Sequence, residues 1–197
     1  MNHSAQNTNS ELWLSFINGN EEAFSIFYKQ NYERLYNYGL NLGMDADQVR
    51  DIIQELFVKL YTKPHLIKEL STIQSFLIVS IKNAFINQEK QKKKHFYYDE
   101  VENFEFSYSV ENTKIEDEEE LQAIKDKVDK IISILTPRQK EIIYLRFLHQ
   151  MEYEEIAKAM TMSEQAARNL THRAMEKIRK NDKDFIILLF LLLLYSN

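Results

Sequence analysis

The segment from Thr136 to Lys180 carries the boundary signals of successive short helices, and this feature limits most strongly how the chain can fold. Thr136 can accept a hydrogen bond from the amide of Gln139, and the Gln139 side chain can reach back to the amide of Thr136. Pro137 takes the first helical position, where its missing N–H costs nothing. The spacing therefore predicts a helix that begins at Pro137. Its apolar positions are Ile142, Ile143, Leu145, Phe147 and Leu148.

Two further helices are predicted after it, joined by a tight turn. One covers Glu152–Met160, and Thr161 with Met162 forms the turn. Ser163 can cap the next helix. The inward residues of these two helices are Tyr153, Ile156, Ala157, Met160, Ala166, Ala167, Leu170, Ala174 and Ile178. Many such turns hold glycine in a left-handed conformation at the place of Thr161, a conformation that β-branched residues disfavour. The arrangement nevertheless predicts a helix–turn–helix.

The outward face of the last helix mixes amide, guanidinium and ammonium donors. Residues near its N-terminus would face base edges in a major groove, and the later basic residues would lie nearer phosphates. A merely solvated helix face is the alternative on charge alone, but the helix–turn–helix around it favours DNA contact. The candidate DNA-binding residues are Ser163, Glu164, Gln165, Arg168, Asn169, His172, Arg173 and Lys177.

Turn-forming residues are scarce in the whole chain. Three glycines and two prolines among 197 residues leave little material for β-turns, so we expect an all-α protein. The chain lacks cysteine, which excludes disulfides and thiolate metal sites and fits a reducing cytoplasm. The polar N-terminus has no apolar core, so no signal peptide is expected.

Motifs of catalysis are also missing. The sequence has no glycine-rich phosphate loop and no HExxH motif, and its five histidines have no ligand spacing. We therefore expect neither an enzyme nor a cofactor or metal site.

Charge is segregated along the chain, although the net charge is only −5. Basic residues cluster at Lys90–Lys94 and again at Arg168–Lys180, whereas residues 99–120 carry ten carboxylates against the single Lys114. We interpret this stretch as a flexible acidic linker, with a solvated spacer as the alternative. The aromatic residues within it and just before it are more than a spacer needs and suggest that the segment lies against something. They are Phe96, Tyr97, Tyr98, Phe104, Phe106 and Tyr108.

The N-terminal block, from about residue 10 to 95, is predicted to be an independent helical domain. A turn at Asn18–Asn20 precedes a first helix, which Gly43 ends. Asp45 caps a second helix that Pro64 closes, and Ser71 or Thr72 could cap a third that runs into the basic segment. The buried positions of the first helix are Ala23, Phe24, Phe27, Tyr28, Leu35 and Tyr36. Those of the second are Val49, Ile52, Ile53, Leu56, Phe57 and Leu60. The third contains Ile73, Phe76, Leu77, Ser80, Ile81, Ala84 and Phe85.

Three motifs in order resemble one known family. DIIQELFVKLY at Asp51–Tyr61, FLIVSIKNAFINQEKQKKK at Phe76–Lys94 and the helix–turn–helix together resemble the extracytoplasmic-function group of the bacterial sigma-70 family. The string QAARNLTHRAMEKIRK is similar to its iron-citrate-type, Bacteroidetes-like subgroup. Two positions depart from the family, which often has Trp in place of Phe76 and Asp in place of Asn87.

The resemblance implies a domain organisation and a set of partners. Sigma region 2 would cover residues 10–95, the acidic linker 96–123, sigma region 4 residues 124–181, and an apolar tail 182–197. Such a protein binds core RNA polymerase through the β′ and β subunits, recognises the −10 and −35 promoter elements and directs transcription initiation. An anti-sigma factor is a further implied partner, and the linker would enter the polymerase channels that later hold RNA.

The resemblance also implies roles for residues of the N-terminal domain. The second helix would dock on a β′ coiled coil, with an exposed Phe57 or Leu60 as the hydrophobic anchor. The implied core-binding residues are Asp51, Gln54, Glu55, Phe57 and Lys59. Residues near the −10 strand would be Lys82, Asn83, Asn87, Lys90, Lys92, Lys93 and Lys94, with Asn83 contacting a base edge. The helix–turn–helix residues become −35 contacts.

An apolar run of 11 residues, Phe185–Tyr195, follows the helix–turn–helix. It is shorter than the roughly 20 residues that span a bilayer, so no transmembrane segment is predicted. The run could pack against the C-terminal domain, bind a partner or lie on a membrane surface.

A different function class stays open beside the sigma factor. A stand-alone regulator could bind operator DNA through the same helix–turn–helix, with the N-terminal domain as a sensor or dimerisation unit. Such a regulator needs neither the Asp51–Tyr61 motif nor the basic end of the third helix.

Overall fold

A computed structural model describes residues 4–92, 104–106 and 118–181 of the chain. Helices dominate these ranges, and no strand occurs within them. The chain divides into two compact units, Met1–Glu100 and Val101–Asn197. The all-α, two-domain architecture predicted from composition and periodicity is therefore confirmed. The apolar run at 185–195 lies outside the described residues.

The N-terminal unit is a helical bundle. Its helices are α1 at Ser4–Ile17, α2 at Glu21–Asn41, α3 at Ala46–Thr62 and α4 at Ile73–Lys92. Short 3₁₀ turns at Pro64–Leu66 and Leu70–Thr72 connect α3 to α4. Helix α2 packs on α1, α3 and α4, so it is the central element of the bundle.

Local signals set the helix boundaries in this unit. The Asn20 side chain accepts from the amides of Glu22 and Ala23, and Gly19 before it has a φ of 98°. Asp45 forms the predicted capping box, with its carboxylate 2.8 Å from the Gln48 amide. These contacts satisfy amides that the first turn of a helix leaves unpaired.

The core of the bundle is strongly aromatic and aliphatic. All six apolar residues predicted on α3 are buried, as are Ala23, Phe27 and Leu35 of α2. Trp13 of α1 is also buried and lies 5.2 Å from the ring of Phe27. The burial of Trp13 was not predicted, because α1 lies before the first recognised helix signal.

The C-terminal unit contains shorter helices. They are α5 at Glu118–Ser133, α6 at Pro137–Ile143, a π-helical turn at Tyr144–Leu148, α7 at Tyr153–Ala159 and α8 at Glu164–Asn181. Thr136 and Gln139 form the predicted capping box at the start of α6. Helix α5 begins at Glu118, inside the stretch interpreted as linker. An acidic run at a helix N-terminus interacts favourably with the helix dipole, which explains why residues that resemble a linker are helical here.

One residue of the acidic segment is part of the core of this unit. Phe104 is buried, and Phe106 next to it is half-buried. The expectation that aromatics of this segment lie against something is thus met for these two residues. Among the described helices, none has the length and apolar character needed to cross a membrane.

Candidate nucleic-acid interface

Helices α7 and α8 and the turn between them form the predicted helix–turn–helix. The amide of Met162 donates to the Ala157 carbonyl at 3.0 Å, which closes the end of α7. Thr161 adopts the left-handed conformation expected at this place, with a φ of 52°. The Ser163 hydroxyl then accepts from the Ala166 amide at 3.2 Å and so caps α8 as predicted.

Small residues pack α8 against its neighbours. Ala167, Ala174 and Ile178 are fully buried, whereas Ala166 and Leu170 are half-buried rather than core. Thr171 is buried as well, and its hydroxyl is satisfied because it donates to the Ala167 carbonyl at 3.0 Å. Helix α8 contacts both α6 and α7, so two helices hold it in place.

The opposite face of α8 is open to solvent. All eight residues predicted to contact DNA from the helix–turn–helix are exposed: Ser163, Glu164, Gln165, Arg168, Asn169, His172, Arg173 and Lys177. Contacts between successive turns order several of these side chains. The Arg168 guanidinium donates to the Glu164 carboxylate, and Gln165 Nε2 donates to Asn169 Oδ1 at 3.1 Å. The face therefore presents ordered donors and acceptors of several kinds.

Tyr153, at the start of α7, has two cationic neighbours. The guanidinium carbon of Arg168 lies 4.4 Å from the centroid of the Tyr153 ring, and that of Arg146 lies 4.8 Å from it. Arg146 also donates to the Met151 carbonyl at 2.6 Å. The sequence predicted Tyr153 only as an inward packing residue. Its contact with Arg168 depends on how α7 and α8 cross and has no signal in the spacing.

The outer face of α3 carries the charges predicted there. Asp51, Gln54, Glu55 and Lys59 are all exposed. The expectation of an exposed Phe57 or Leu60 is wrong: Phe57 is 3% exposed and Leu60 is buried completely. The Phe57 ring lies 4.8 Å from Tyr28 and 5.9 Å from Phe27, so α2 covers it.

Two other apolar side chains of α3 face solvent instead. Val58 is 57% exposed and Tyr61 is 45% exposed. The Tyr61 ring lies 5.4 Å from Phe16 and 5.1 Å from Phe24, and its hydroxyl donates to the Glu21 carboxylate at 3.2 Å. The charge of Glu21 raises the pKa of Tyr61, and the hydrogen bond adds to the effect.

The residues of α4 that were predicted near the −10 strand differ in exposure. Asn83, Asn87 and Lys90 are exposed and recur at spacings that align them on one helix face. Lys82 is only 6% exposed, so its predicted contact with DNA is contradicted. It shares a row with Ile78 and Ile86, which are both buried, and this row faces the bundle. Lys93, Lys94 and the side chain of Lys92 lie outside the described residues.

Metal chemistry finds no support in the part of the chain that the structure describes. No group of three or more His, Asp or Glu residues there could hold a metal ion. What the described surfaces offer is a helix–turn–helix with an ordered polar face and a bundle with an exposed mixed patch on α3.

Comparison with known proteins finds two matching families. Sigma-70 region 2 matches residues 27–95, and Sigma-70 region 4 matches residues 131–180. The chain is similar to the ECF RNA polymerase sigma factor SigX of Bacillus subtilis, at 23% identity over 82% of this chain and 84% of that protein. SigM of the same organism is 24% identical over 77% of this chain and 90% of its own length. The RNA polymerase sigma-E factor of Streptomyces coelicolor is 22% identical over 80% of this chain and 84% of its own.

A solved structure has the same fold. The structure of CnrH in complex with the cytosolic domain of CnrY aligns with a TM-score of 0.54 at 16% identity, over 88% of this chain and 96% of that one. At this identity the likeness concerns the fold alone.

Proposed function

The chain belongs to the sigma-70 family as an extracytoplasmic-function sigma factor that directs transcription initiation, and from this premise we propose how its two units divide the work. The N-terminal unit binds core RNA polymerase and the −10 element, and the C-terminal unit binds the −35 element. The protein is an initiation factor without catalytic chemistry of its own, and it acts in the cytoplasm beside polymerase. The observation that carries the proposal is the exposed polar face of α8, which lies within the segment that region 4 matches.

The −35 element is read by the first turns of α8. Arg168 suits guanine and Gln165 or Asn169 suits adenine, because their side chains match the donor and acceptor pattern of those base edges in the major groove. Ser163, Glu164 and His172 complete this surface, while Arg173 and Lys177 approach phosphates. Exposure of all eight side chains supports this assignment.

The −10 element is held by α4 and the basic segment that follows it. Asn83 and Asn87 are exposed amides on one face of α4, which also carries Lys90. Lys92, Lys93 and Lys94, which follow in the sequence, supply further positive charge. Captured single-stranded bases must offset the cost of unstacking, and stacking or polar capture contributes about 1–3 kcal/mol per base. Lys82 is excluded from this surface by its burial.

Core polymerase docks on the outer face of α3. Val58 and Tyr61 replace Phe57 as the apolar contacts, and Asp51, Gln54, Glu55 and Lys59 supply steering charges. The partner surface is the coiled coil of the polymerase β′ subunit. An apolar pair within a ring of charged residues is the composition expected of a transient protein interface.

The domain limits follow from these roles. Region 2 covers residues 10–95, and region 4 covers 124–181 with α5 extending it back to Glu118. The acidic segment between them passes into polymerase channels, where carboxylates can mimic a phosphate backbone. CnrH is solved in complex with the cytosolic domain of CnrY, and we propose a comparable anti-sigma partner for this chain. Membership of the iron-citrate-type subgroup stays a prediction.

Reconstitution with core polymerase tests the function. The purified full chain is mixed with core RNA polymerase and a promoter library randomised at both elements. The expected result is stable binding to core and promoter-dependent transcripts that share −10 and −35 sequences. Absence of both would contradict the proposal, and tight operator binding without polymerase would favour the stand-alone regulator.

A surface variant tests the docking face of α3. Val58→Asp replaces one member of the apolar pair with a charge. It should weaken binding to core at least about fivefold, because changes to central interface residues cost more than changes to rim residues. Gln30→Glu, at an exposed position of α2, is the matched control because it changes the net charge by the same −1. Equal binding of the two variants would show that core does not dock here.

A further inference from the structure

Arg168 is restrained from a neighbouring helix as well as from its own. Its guanidinium donates to Glu164 one turn earlier on α8 and lies over the Tyr153 ring of α7, 4.4 Å from the centroid. The Arg168 side chain is nevertheless 52% exposed. An exposed arginine normally samples many rotamers, so contacts on two sides are the arrangement expected of a preorganised donor rather than of a free charge.

Tyr153 is itself firmly placed. It is the first residue of α7, where Glu152 and Glu155 form a capping box and the Glu152 amide donates to Glu155 at 2.9 Å. Arg146 lies 4.8 Å from the same ring and is only 28% exposed, since it is held by the Met151 carbonyl at 2.6 Å. The position of the Tyr153 ring is therefore set both by Arg146 beside it and by the capped start of α7.

Both guanidinium groups can lie near the Tyr153 ring although they carry the same charge. Glu152 lies 3.3 Å from Arg146 and Glu164 pairs with Arg168, so each cation has its own carboxylate. The repulsion between the guanidinium groups is reduced, and the attraction of the ring face for both cations is kept. A flat guanidinium that lies over a ring keeps its donors in its own plane. In that arrangement the ring does not block the fork that matches guanine O6 and N7.

We propose that Tyr153 is a positioning residue for −35 recognition, which holds the Arg168 guanidinium in the orientation that reads a guanine edge. The proposal rests on the proposed function, in which Arg168 faces the −35 element. Tyr153 contacts no base in this scheme; it acts through Arg168. Its removal therefore reduces discrimination at one base pair and leaves the remaining −35 preferences unchanged.

The test compares holoenzymes formed from core polymerase and the full chain on promoters that vary only in the −35 element. Tyr153→Leu should lower the preference for the base pair that Arg168 reads by about two- to fivefold, the range for a solvent-exposed cation–ring contact. Tyr153→Phe keeps a ring face and should retain the preference within about twofold. Arg168→Ala identifies the base pair and sets the maximal loss.

The outcomes separate this proposal from the function on which it rests. If Arg168→Ala changes the preference and Tyr153→Leu does not, the positioning role is overturned and the proposed function stands. If Arg168→Ala leaves every −35 preference unchanged, the base-reading role of Arg168 fails, and the role of Tyr153 fails with it. A general loss of transcription with unchanged base preference in Tyr153→Leu would indicate a structural role and overturn the proposal.

A spectroscopic measurement covers the case in which Tyr153→Leu does not fold. Ring stacking shifts the side-chain proton resonances of Arg168 upfield in the native full chain, and assignment by Arg168→Lys identifies them. Tyr153→Phe should preserve that shift. Random-coil positions for these protons in the folded native chain would overturn the proposal without any destabilising variant.

Discussion

The ring of Phe104 meets the ring of Tyr144 edge to face, with 5.6 Å between the centroids. Phe104 comes from the acidic segment that separates the two family matches, whereas Tyr144 begins the π-helical turn after α6. Phe106 makes a second edge contact with Tyr144 at 5.5 Å. The acidic segment therefore contributes a core residue to the C-terminal unit and is more than a solvated spacer at this point.

Removal of the Phe104 ring should destabilise the C-terminal unit. Phe104→Ala is expected to cost about 3–5 kcal/mol, because the side chain is 2% exposed and its loss leaves a cavity beside Tyr144. Hydrogen exchange of the full chain measures the effect, with faster exchange expected for amides of α6 and α8. Phe106→Ala is the matched control, since Phe106 contacts the same ring but is half-buried. Equal losses for the two variants would contradict a core role for Phe104.

Close packing of α2 on α3 depends on Gly39. A Cβ at this position would lie 2.8 Å from both Cγ atoms of Val49, closer than carbon atoms pack. Gly39→Ala should therefore destabilise the N-terminal unit by about 1–2 kcal/mol, because overpacking outweighs the gain of about 1 kcal/mol in helix propensity. Denaturant unfolding of the full chain measures the change.

A double-mutant cycle locates the cause. Val49→Ala removes both crowded methyl groups, so the combined Gly39→Ala and Val49→Ala variant should be more stable than the sum of the single losses predicts. Leu60 is buried on the same helix about three turns from Val49. The stability losses of Leu60→Ala and Gly39→Ala should therefore be additive. If the losses of Gly39→Ala and Val49→Ala were also additive, the added methyl group at position 39 would not be crowded by Val49.

The turn before α8 stores backbone strain at Thr161. Its φ of 52° costs a residue with a Cβ about 1–2 kcal/mol, and glycine avoids that cost but loses about 0.5–1 kcal/mol in chain entropy. Thr161→Gly should accordingly raise the stability by up to about 1 kcal/mol, measured as a higher midpoint of thermal unfolding. Thr161→Ala keeps a Cβ and should gain less. A lower midpoint for glycine than for alanine would show that the turn is not strained.

Much of this fold could be predicted because its signals are local. The capping pairs Asp45–Gln48 and Thr136–Gln139 lie three residues apart, and the buried face of α3 follows helical spacing. Such features need no knowledge of a partner helix. The exposed face of α8 was predicted for the same reason, since the inward positions of a helix determine the outward ones.

Features that depend on a neighbouring helix escaped prediction. Spacing alone could not decide whether Phe57 is core or anchor, because the answer lies in the aromatic residues that α2 places over it. Lys82 lies on α4, where apolar residues occur on nearly every side, so the pattern does not show which row is buried. The pairing of Tyr153 with Arg168 likewise arises only when α7 and α8 cross.

The contact between Tyr61 and Glu21 predicts a pH dependence. The Glu21 charge, then the hydrogen bond and partial burial, raise the pKa of Tyr61 above its ordinary value of 10.0. Folding thus favours the neutral phenol. This contribution to stability is complete below the ordinary value and is lost as pH rises through the folded-state value. Glu21→Gln should lower the pKa of Tyr61 toward the ordinary value.

Difference titration of the phenol absorbance measures this effect. Subtracting the Tyr61→Phe variant from the parent chain isolates Tyr61, and the same subtraction in the Glu21→Gln background gives the shift. Glu22→Gln is the matched control, because Glu22 is exposed beside Glu21 and the raised pKa is not attributed to it. An identical midpoint with and without Glu21 would show that the carboxylate does not act on Tyr61.

Salt dependence distinguishes phosphate contacts from base contacts on α8. Arg173 and Lys177 are exposed on the later turns, where a recognition helix approaches the DNA backbone. Each phosphate contact releases condensed counterions, so Arg173→Ala or Lys177→Ala should reduce the slope of log Kobs against log salt by about 0.9. The slope should fall by about 1.8 in the double variant if the two contacts are independent.

Binding of the holoenzyme to promoter DNA over a range of salt concentrations measures these slopes. Lys130, exposed on α5, is not part of the helix–turn–helix, so Lys130→Ala should leave the slope unchanged. Gln165→Ala should instead change the −35 sequence preference with little effect on the slope, because a base contact releases few counterions. Unchanged slopes for both Arg173→Ala and Lys177→Ala would place the DNA backbone elsewhere. A uniform loss of slope in all variants, Lys130→Ala included, would mean that the net charge of the chain, rather than the face of α8, governs its attraction to DNA.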